Sequence, residues 1–168
     1  MDVTRTARSL VGSVAAAAGR VLPGGTGEAP QQTLTFTSSP SEVLAAARDA
    51  AVWSQVLGEF GSVAAEGPGR YRFTTPHGPA EGTSTELRET GDLLQFERDG
   101  GAGPLAELRV VAAPQDRGTE VQLRLDVPAP DLAAGAATFT VLYRLRALLQ
   151  TGEVPTITPQ PSARPAER

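Results

Sequence analysis

The sequence predicts an α+β domain in which a curved antiparallel sheet of about seven strands wraps a long C-terminal helix. The clearest support is Asp131–Thr151, a continuous helical pattern closed by Gly152 and then Pro155. Before it, residues 62–127 read as a meander of short strands parted by glycine- and proline-rich turns. Between an isolated first strand and that meander stands a pair of short helices.

The elements follow in order. Residues 3–21 read as an N-terminal helix that docks on the domain or frays, and Pro23-Gly24-Gly25-Thr26-Gly27-Glu28-Ala29-Pro30 is a linker. The first strand takes residues 32–37, with Leu34 and Phe36 on one face. Ser39-Pro40-Ser41-Glu42 then opens a helix with an N-cap, a first-turn proline and a capping-box glutamate. Val43, Leu44 and Ala47, then Val52, Trp53, Val56 and Leu57, recur at helical spacing with a break near Asp49, which gives two helices rather than one.

Six strands follow at residues 62–66, 70–75, 82–89, 92–98, 105–113 and 119–127. In the last, Val121, Leu123, Leu125 and Val127 alternate with Glu120, Gln122, Arg124 and Asp126, so one face is wet and the other needs a cover. The C-terminal helix supplies that cover through Thr138, Val141, Leu142, Leu145, Leu148 and Leu149. The domain therefore runs over residues 31–154, preceded by helix and linker at 1–30 and followed by a disordered proline-rich tail at 155–168.

Composition narrows the function. A net charge of −4 creates no broad positive field, which disfavours nucleic acid as a partner. There is no cysteine, hence no disulfide, thiolate metal site or cysteine nucleophile. All fifteen basic residues are arginine, which removes lysine chemistry as well. Arg5 and Arg8 ahead of residues 10–18 imitate a signal peptide, but that apolar run is shorter than the roughly 20 residues a transmembrane span needs. The expectation is a cytoplasmic protein whose N-terminal helix is its candidate contact with a membrane surface or another protein.

Candidate chemistry is thin. His77 is the single histidine and sits in the Thr75-Pro76-His77-Gly78-Pro79 turn, without a partner that would make it a general base or part of a metal site. Glu86, Glu97, Glu120 and Asp126 fall on outer faces, whereas Glu89 is in phase with Thr83, Thr85 and Leu87. Buried, Glu89 would have a raised pKa and act as an acid; frayed to solvent, it would not. The hydroxyls of Thr83, Ser84 and Thr85 have no histidine to form a triad, and neither glycine cluster runs into a helix as a phosphate loop does. No catalytic residue, metal or cofactor is assigned.

The order of elements, the Ser39-Pro40-Ser41-Glu42-Val43 helix entry, residues 53–63 leading into the second strand, and Tyr143-Arg144-Leu145-Arg146-Ala147-Leu148-Leu149-Gln150-Thr151-Gly152-Glu153-Val154-Pro155 together resemble the START-like superfamily, also called SRPBCC. Within it, the resemblance is to the polyketide cyclase/dehydrase-like branch, and it covers about residues 32–164. It implies a helix-grip fold with a hydrophobic cavity between sheet and helix that accommodates lipids, sterols, polyketides or similar molecules.

The candidate lining residues are Trp53, Tyr71, Phe73, Leu87, Phe96, Leu108, Leu123, Phe139, Leu142 and Tyr143, with core packing as the competing account of each. Tyr71 and Tyr143 are the stronger ligand candidates, because a buried phenol requires a hydrogen-bond partner. Arg72 and Arg146 either place a charge at the cavity mouth or snorkel to solvent. Small inward residues, Ala106, Ala112, Thr83 and Thr85, favour an open cavity.

Three readings follow. The first is binding of a small hydrophobic molecule. The second is a cyclase or dehydratase, which would require an acid–base pair inside the cavity. The third is an interaction module whose cavity is filled by its own side chains.

Overall fold

The computed structural model describes residues 29–155. The readings of an N-terminal helix at 3–21 and of a tail beyond 155 lie outside them. Strand β1 (Gln31–Phe36) leads into helices α1 (Pro40–Ala47) and α2 (Ala50–Leu57), then a 3-10 turn at Gly58–Phe60. The meander follows as β2 (Ser62–Gly67), β3 (Arg70–Thr74), β4 (Thr83–Thr90), β5 (Leu93–Arg98), β6 (Pro104–Ala112) and β7 (Thr119–Leu125). Helix α3 (Asp131–Thr151) closes the fold.

The strands form one antiparallel sheet in the order β1-β7-β6-β5-β4-β3-β2. First and last strands are thus neighbours, and β2 lies at the far edge. The chain must cross six strand spacings between β1 and β2, roughly 29 Å at about 4.8 Å each. Helices α1 and α2 make that crossing, over the face that also receives α3.

Local chemistry sets each helix end. Ser39 accepts from the Glu42 backbone N–H at 3.3 Å while the Glu42 carboxylate accepts from the Ser39 N–H at 2.7 Å, a complete capping box. Those bonds hold the Glu42 carboxyl below its ordinary pKa. Asp49 both breaks the helical run and caps α2, accepting from the Ala51 N–H at 2.8 Å. At the other end of the chain, Gly152 takes the left-handed conformation at φ 77° and its N–H bonds the Leu148 carbonyl, which stops α3.

The sheet's inner face carries Leu34 and Phe36 of β1, Tyr71 and Phe73 of β3, Thr85 of β4, Leu94 and Phe96 of β5, Leu108 and Val110 of β6, and Val121 and Leu123 of β7. Val141, Leu142 and Leu145 of α3, with Val43, Trp53 and Val56 of α1 and α2, complete a single core. Strand boundaries differ from expectation by one or two residues in every strand, and two of these shifts have a local cause. Strand β7 ends at Leu125 rather than 127, where the Arg98 guanidinium takes the Asp126 carbonyl at 3.0 Å. Strand β4 begins at Thr83, since Gly82 has φ 77° and belongs to the turn, its N–H bonded to the Pro79 carbonyl.

Candidate functional site

Phe96 sits at the centre of the space between sheet and helices and is fully buried. Three rings meet it edge-on: Tyr71 at 5.3 Å, Phe73 at 5.4 Å and Trp53 at 5.8 Å between centroids. This T-shaped arrangement is the one aromatic quadrupoles prefer. Ala106 lies directly across the β5–β6 ladder from Phe96, and that small residue, read from sequence as a sign of an open cavity, sits beside the aromatic cluster. Ala112 is exposed and lines nothing inside.

The polar atoms here are satisfied by the protein. The Trp53 indole donates to the Ala47 carbonyl at 2.8 Å, the Tyr71 hydroxyl to the Arg48 carbonyl at 2.7 Å, and the Thr85 hydroxyl to the Tyr71 carbonyl at 3.3 Å. Burial pushes the Tyr71 phenol above its ordinary pKa, so it remains a neutral donor at physiological pH.

Of the ten residues expected to line a cavity, Trp53, Tyr71, Phe73, Phe96, Leu108, Leu123 and Leu142 come together in this core, and Leu87 stands half-buried at its margin. Phe139 and Tyr143 do not join them: they are 45% and 39% exposed. The helical period explains the correction. Thr138, Val141, Leu142 and Leu145 share the buried face of α3, and positions 139 and 143 point the other way. Both rings lie off the apolar stripe of Thr138, Val141, Leu142 and Leu145, so their aromatic character and not their phase is what suggests a lining role.

The outer face of α3 has its own order. Leu132, Ala136, Phe139 and Tyr143 are spaced four, three and four residues apart, forming one exposed stripe. The Phe139 and Tyr143 rings stack at 6.2 Å with 16° between planes, and the Arg146 guanidinium lies 5.3 Å over the Tyr143 ring. Arg146 therefore packs on an aromatic face instead of guarding a cavity mouth. Leu132 is 89% exposed, with no cover among the described residues.

Arg144 is the residue that sequence reasoning missed. It is 5% exposed and donates to the Val56 carbonyl at 3.4 Å, the Leu57 carbonyl at 3.2 Å and both oxygens of Glu59 at 2.7 and 3.0 Å. Its guanidinium also lies 5.2 Å over the Phe60 ring. The side chain thus receives the terminal carbonyls of α2 and ties that helix to α3. A signal existed: α2 has no basic residue in its own last turn, and position 144 falls beside Val141 and Leu145 in the helical period. The Arg144 contact holds the Glu59 carboxyl below its usual pKa.

Glu89 is half-exposed and bound bidentately by Arg48, at 2.8 and 2.7 Å. That pairing lowers its pKa, the reverse of what a buried general acid needs. His77 is exposed in its turn. Arg72 is salt-bridged to Glu66 on the outer face, where Ser84 also donates to that carboxylate at 2.8 Å. Among the described residues no three histidine, aspartate or glutamate side chains converge as metal ligands.

One depression of about 260 Å³ is bounded by Gln31, Glu107, Arg109, Gln122 and Arg124 on the sheet's outer face, and another of similar size by Gly103, Pro104 and Asp126 where β6 begins and β7 ends. Neither lies between sheet and α3. Helix α3 is long and apolar enough, at a mean hydropathy of 1.3, to satisfy the length and composition of a membrane span. In this fold its Leu142 and Leu145 are fully buried against the sheet and α2, as in a core helix.

Solved structures share this architecture. A protein from Deinococcus radiodurans aligns with a TM-score of 0.55 at 23% identity, covering 73% of this chain and 98% of that one. The Aha1 dimer from Colwellia psychrerythraea aligns at 0.53 and 13% identity, over 73% and 96% of the two chains. The di-domain ARO/CYC StfQ of the steffimycin biosynthetic pathway aligns at 0.50 and 12% identity, over 72% of this chain and 44% of that one. No family model and no curated protein matches the sequence. The chain shares the helix-grip fold of these structures, a seven-stranded antiparallel sheet closed by a long C-terminal helix.

Proposed function

We propose that this chain is a non-catalytic binding module that contacts a partner protein through the outer face of α3. The observation that carries this reading is the inversion of the expected site. The inner space is packed around Phe96 with its polar atoms paired, while an aromatic and aliphatic stripe stands exposed on the helix outside. Aromatic side chains flanked by arginine are the usual anchors of protein interfaces. Proton-transfer chemistry has less support, since the inward-facing titratable groups of the cluster reduce to the neutral, hydrogen-bonded Tyr71 phenol.

The test is a photoreactive benzophenone side chain in place of Phe139, in the full chain and in the cells that produce it, with the same group at Glu86 on the outer sheet face as control. A discrete crosslinked protein from position 139 and none from position 86 is the expected result. Equal, diffuse crosslinking from both positions would overturn the reading.

A second reading, capture of a small hydrophobic molecule between sheet and α3, draws on the START-like fold and on the half-buried leucines Leu34, Leu87 and Leu125 at the core margin. The core would have to open to admit a ligand. Native mass spectrometry of the gently purified chain separates the two: the first expects a bare protein mass, whereas a stoichiometric apolar adduct released on denaturation establishes the second.

A further inference from the structure

We propose that the partner of the outer α3 face is a second copy of this chain, with the two α3 helices packed antiparallel across a two-fold axis. The proposal rests on that face being a contact surface, and it names the occupant.

The first argument is the pattern of the face. Leu132, Ala136, Phe139 and Tyr143 are all exposed and are spaced four, three and four residues apart, so the series reads the same from either end. Alternating steps of four and three are those of a seam between paired helices, where side chains of one enter the gaps of the other. Turned end for end about the midpoint between Ala136 and Phe139, the stripe lies on its own copy with every position matched: Leu132 meets the partner's Tyr143, and Ala136 meets the partner's Phe139. Each pair sets a ring against a smaller side chain, and Leu132, bare in one copy, is covered in two. Gly135 and Thr140 border the seam and are small enough for the axes to approach within about 8–10 Å.

The second argument is charge. Asp131 and Arg146 stand at opposite ends of the stripe, about 22 Å apart along α3 at 1.5 Å per residue. In the antiparallel register, Arg146 falls about 3 Å along the axis from the partner's Asp131, on the same flank of the seam. A parallel pair would instead set Arg146 against Arg146 and Asp131 against Asp131, so charge selects the antiparallel arrangement. The contact is short, below the roughly 1,200 Å² of a standard interface, which makes the dimer reversible and concentration dependent.

Sedimentation velocity of the full chain between about 1 and 200 µM, the range of a weak complex, is the test. The expected result is a shift from the 17.4 kDa monomer toward twice that mass as concentration rises. Phe139→Ala should weaken association about tenfold or more, as the loss of a central ring does, while Glu86→Ala on the outer sheet face leaves it unchanged. Arg146→Asp should also weaken it, and adding Asp131→Arg to that variant should restore it. A monomer at every concentration, or a dimer that Phe139→Ala leaves intact, would overturn the proposal. A dimer lost in Arg146→Asp and not recovered in the double variant would overturn the antiparallel arrangement. The crosslinking test at position 139 is read separately. An adduct with a different protein, from a chain that sediments as a monomer, keeps the role of the face and removes the second copy. An adduct at twice the chain mass supports both, and the absence of adduct and dimer alike removes both.

Discussion

The two faces of α3 carry similar side chains and have different fates. Leu142 and Leu145 are fully buried against the sheet and α2, whereas Leu132, Phe139 and Tyr143 face outward one half-turn away. What separates them is the partner each face meets. The inner face opposes a complete set of apolar strand residues, so its burial stabilises the fold; the outer face opposes nothing among the described residues. A hydrophobic surface retained without a stabilising role within the domain is the kind that marks an interaction site.

The sharpest way to break this comparison is to truncate one aromatic from each region. Phe96→Ala removes a fully buried ring contacted by three others, and should destabilise by about 3–5 kcal/mol in urea unfolding. Phe139→Ala should cost about 1 kcal/mol or less. Equal losses would mean that the outer face is part of the folding core, and the distinction would fall.

Arg144 sharpens it next, because it stands on the border between the faces. Arg144→Met keeps much of the side-chain volume but leaves the Val56 and Leu57 carbonyls without their donor, an expected loss of about 1–3 kcal/mol. Arg144→Lys should recover little of this, since an ammonium cannot present the planar fork that reaches two carbonyls and a carboxylate together. Thermal unfolding of both variants beside the wild type checks it.

How much of this was legible follows from where each signal lies. The capping box at Ser39 and Glu42, the break at Asp49, the alternation of Val121 and Leu123, and the Gly152 stop are local rules, and each appears as read. The inward placement of Phe139 and Tyr143 rests on residue type alone, whereas the helical period of α3, which sets Thr138, Val141, Leu142 and Leu145 on one stripe, already turns both rings away. The Arg144 latch joins residues more than eighty positions apart, so the helical period can place the side chain on the buried side but cannot name its partners. The interior is further still from sequence, since Ala106 alone suggests space and the convergence of Trp53, Tyr71 and Phe73 on Phe96 beside it is a contact between separate elements.

A smaller effect probes whether the inner hydroxyl is structural. Tyr71→Phe removes the bond to the Arg48 carbonyl while leaving the ring packed on Phe96, and should cost about 0.5–1.5 kcal/mol. A gain in stability would point instead to a phenol held in place for another purpose.

The smallest expected effect concerns acid. Glu89 bonded by Arg48, and Glu59 bonded by Arg144, have carboxyl pKa values lowered in the folded state. The unfolded chain therefore binds protons more readily than the fold, and the stabilisation is fully present above the unfolded carboxyl pKa, about 4.3 for glutamate. It is lost as pH falls from there through the lower folded values. Both carboxylates are largely exposed, at 41% and 64%, so solvent screening limits each to less than about 1 kcal/mol. Unfolding midpoints measured from pH 7 to pH 3 should be flat above pH 5 and decline below it. In Glu89→Gln that decline should be shallower, because the variant has already lost one of the groups that titrates. A decline centred near pH 6 would identify a group other than these two carboxylates.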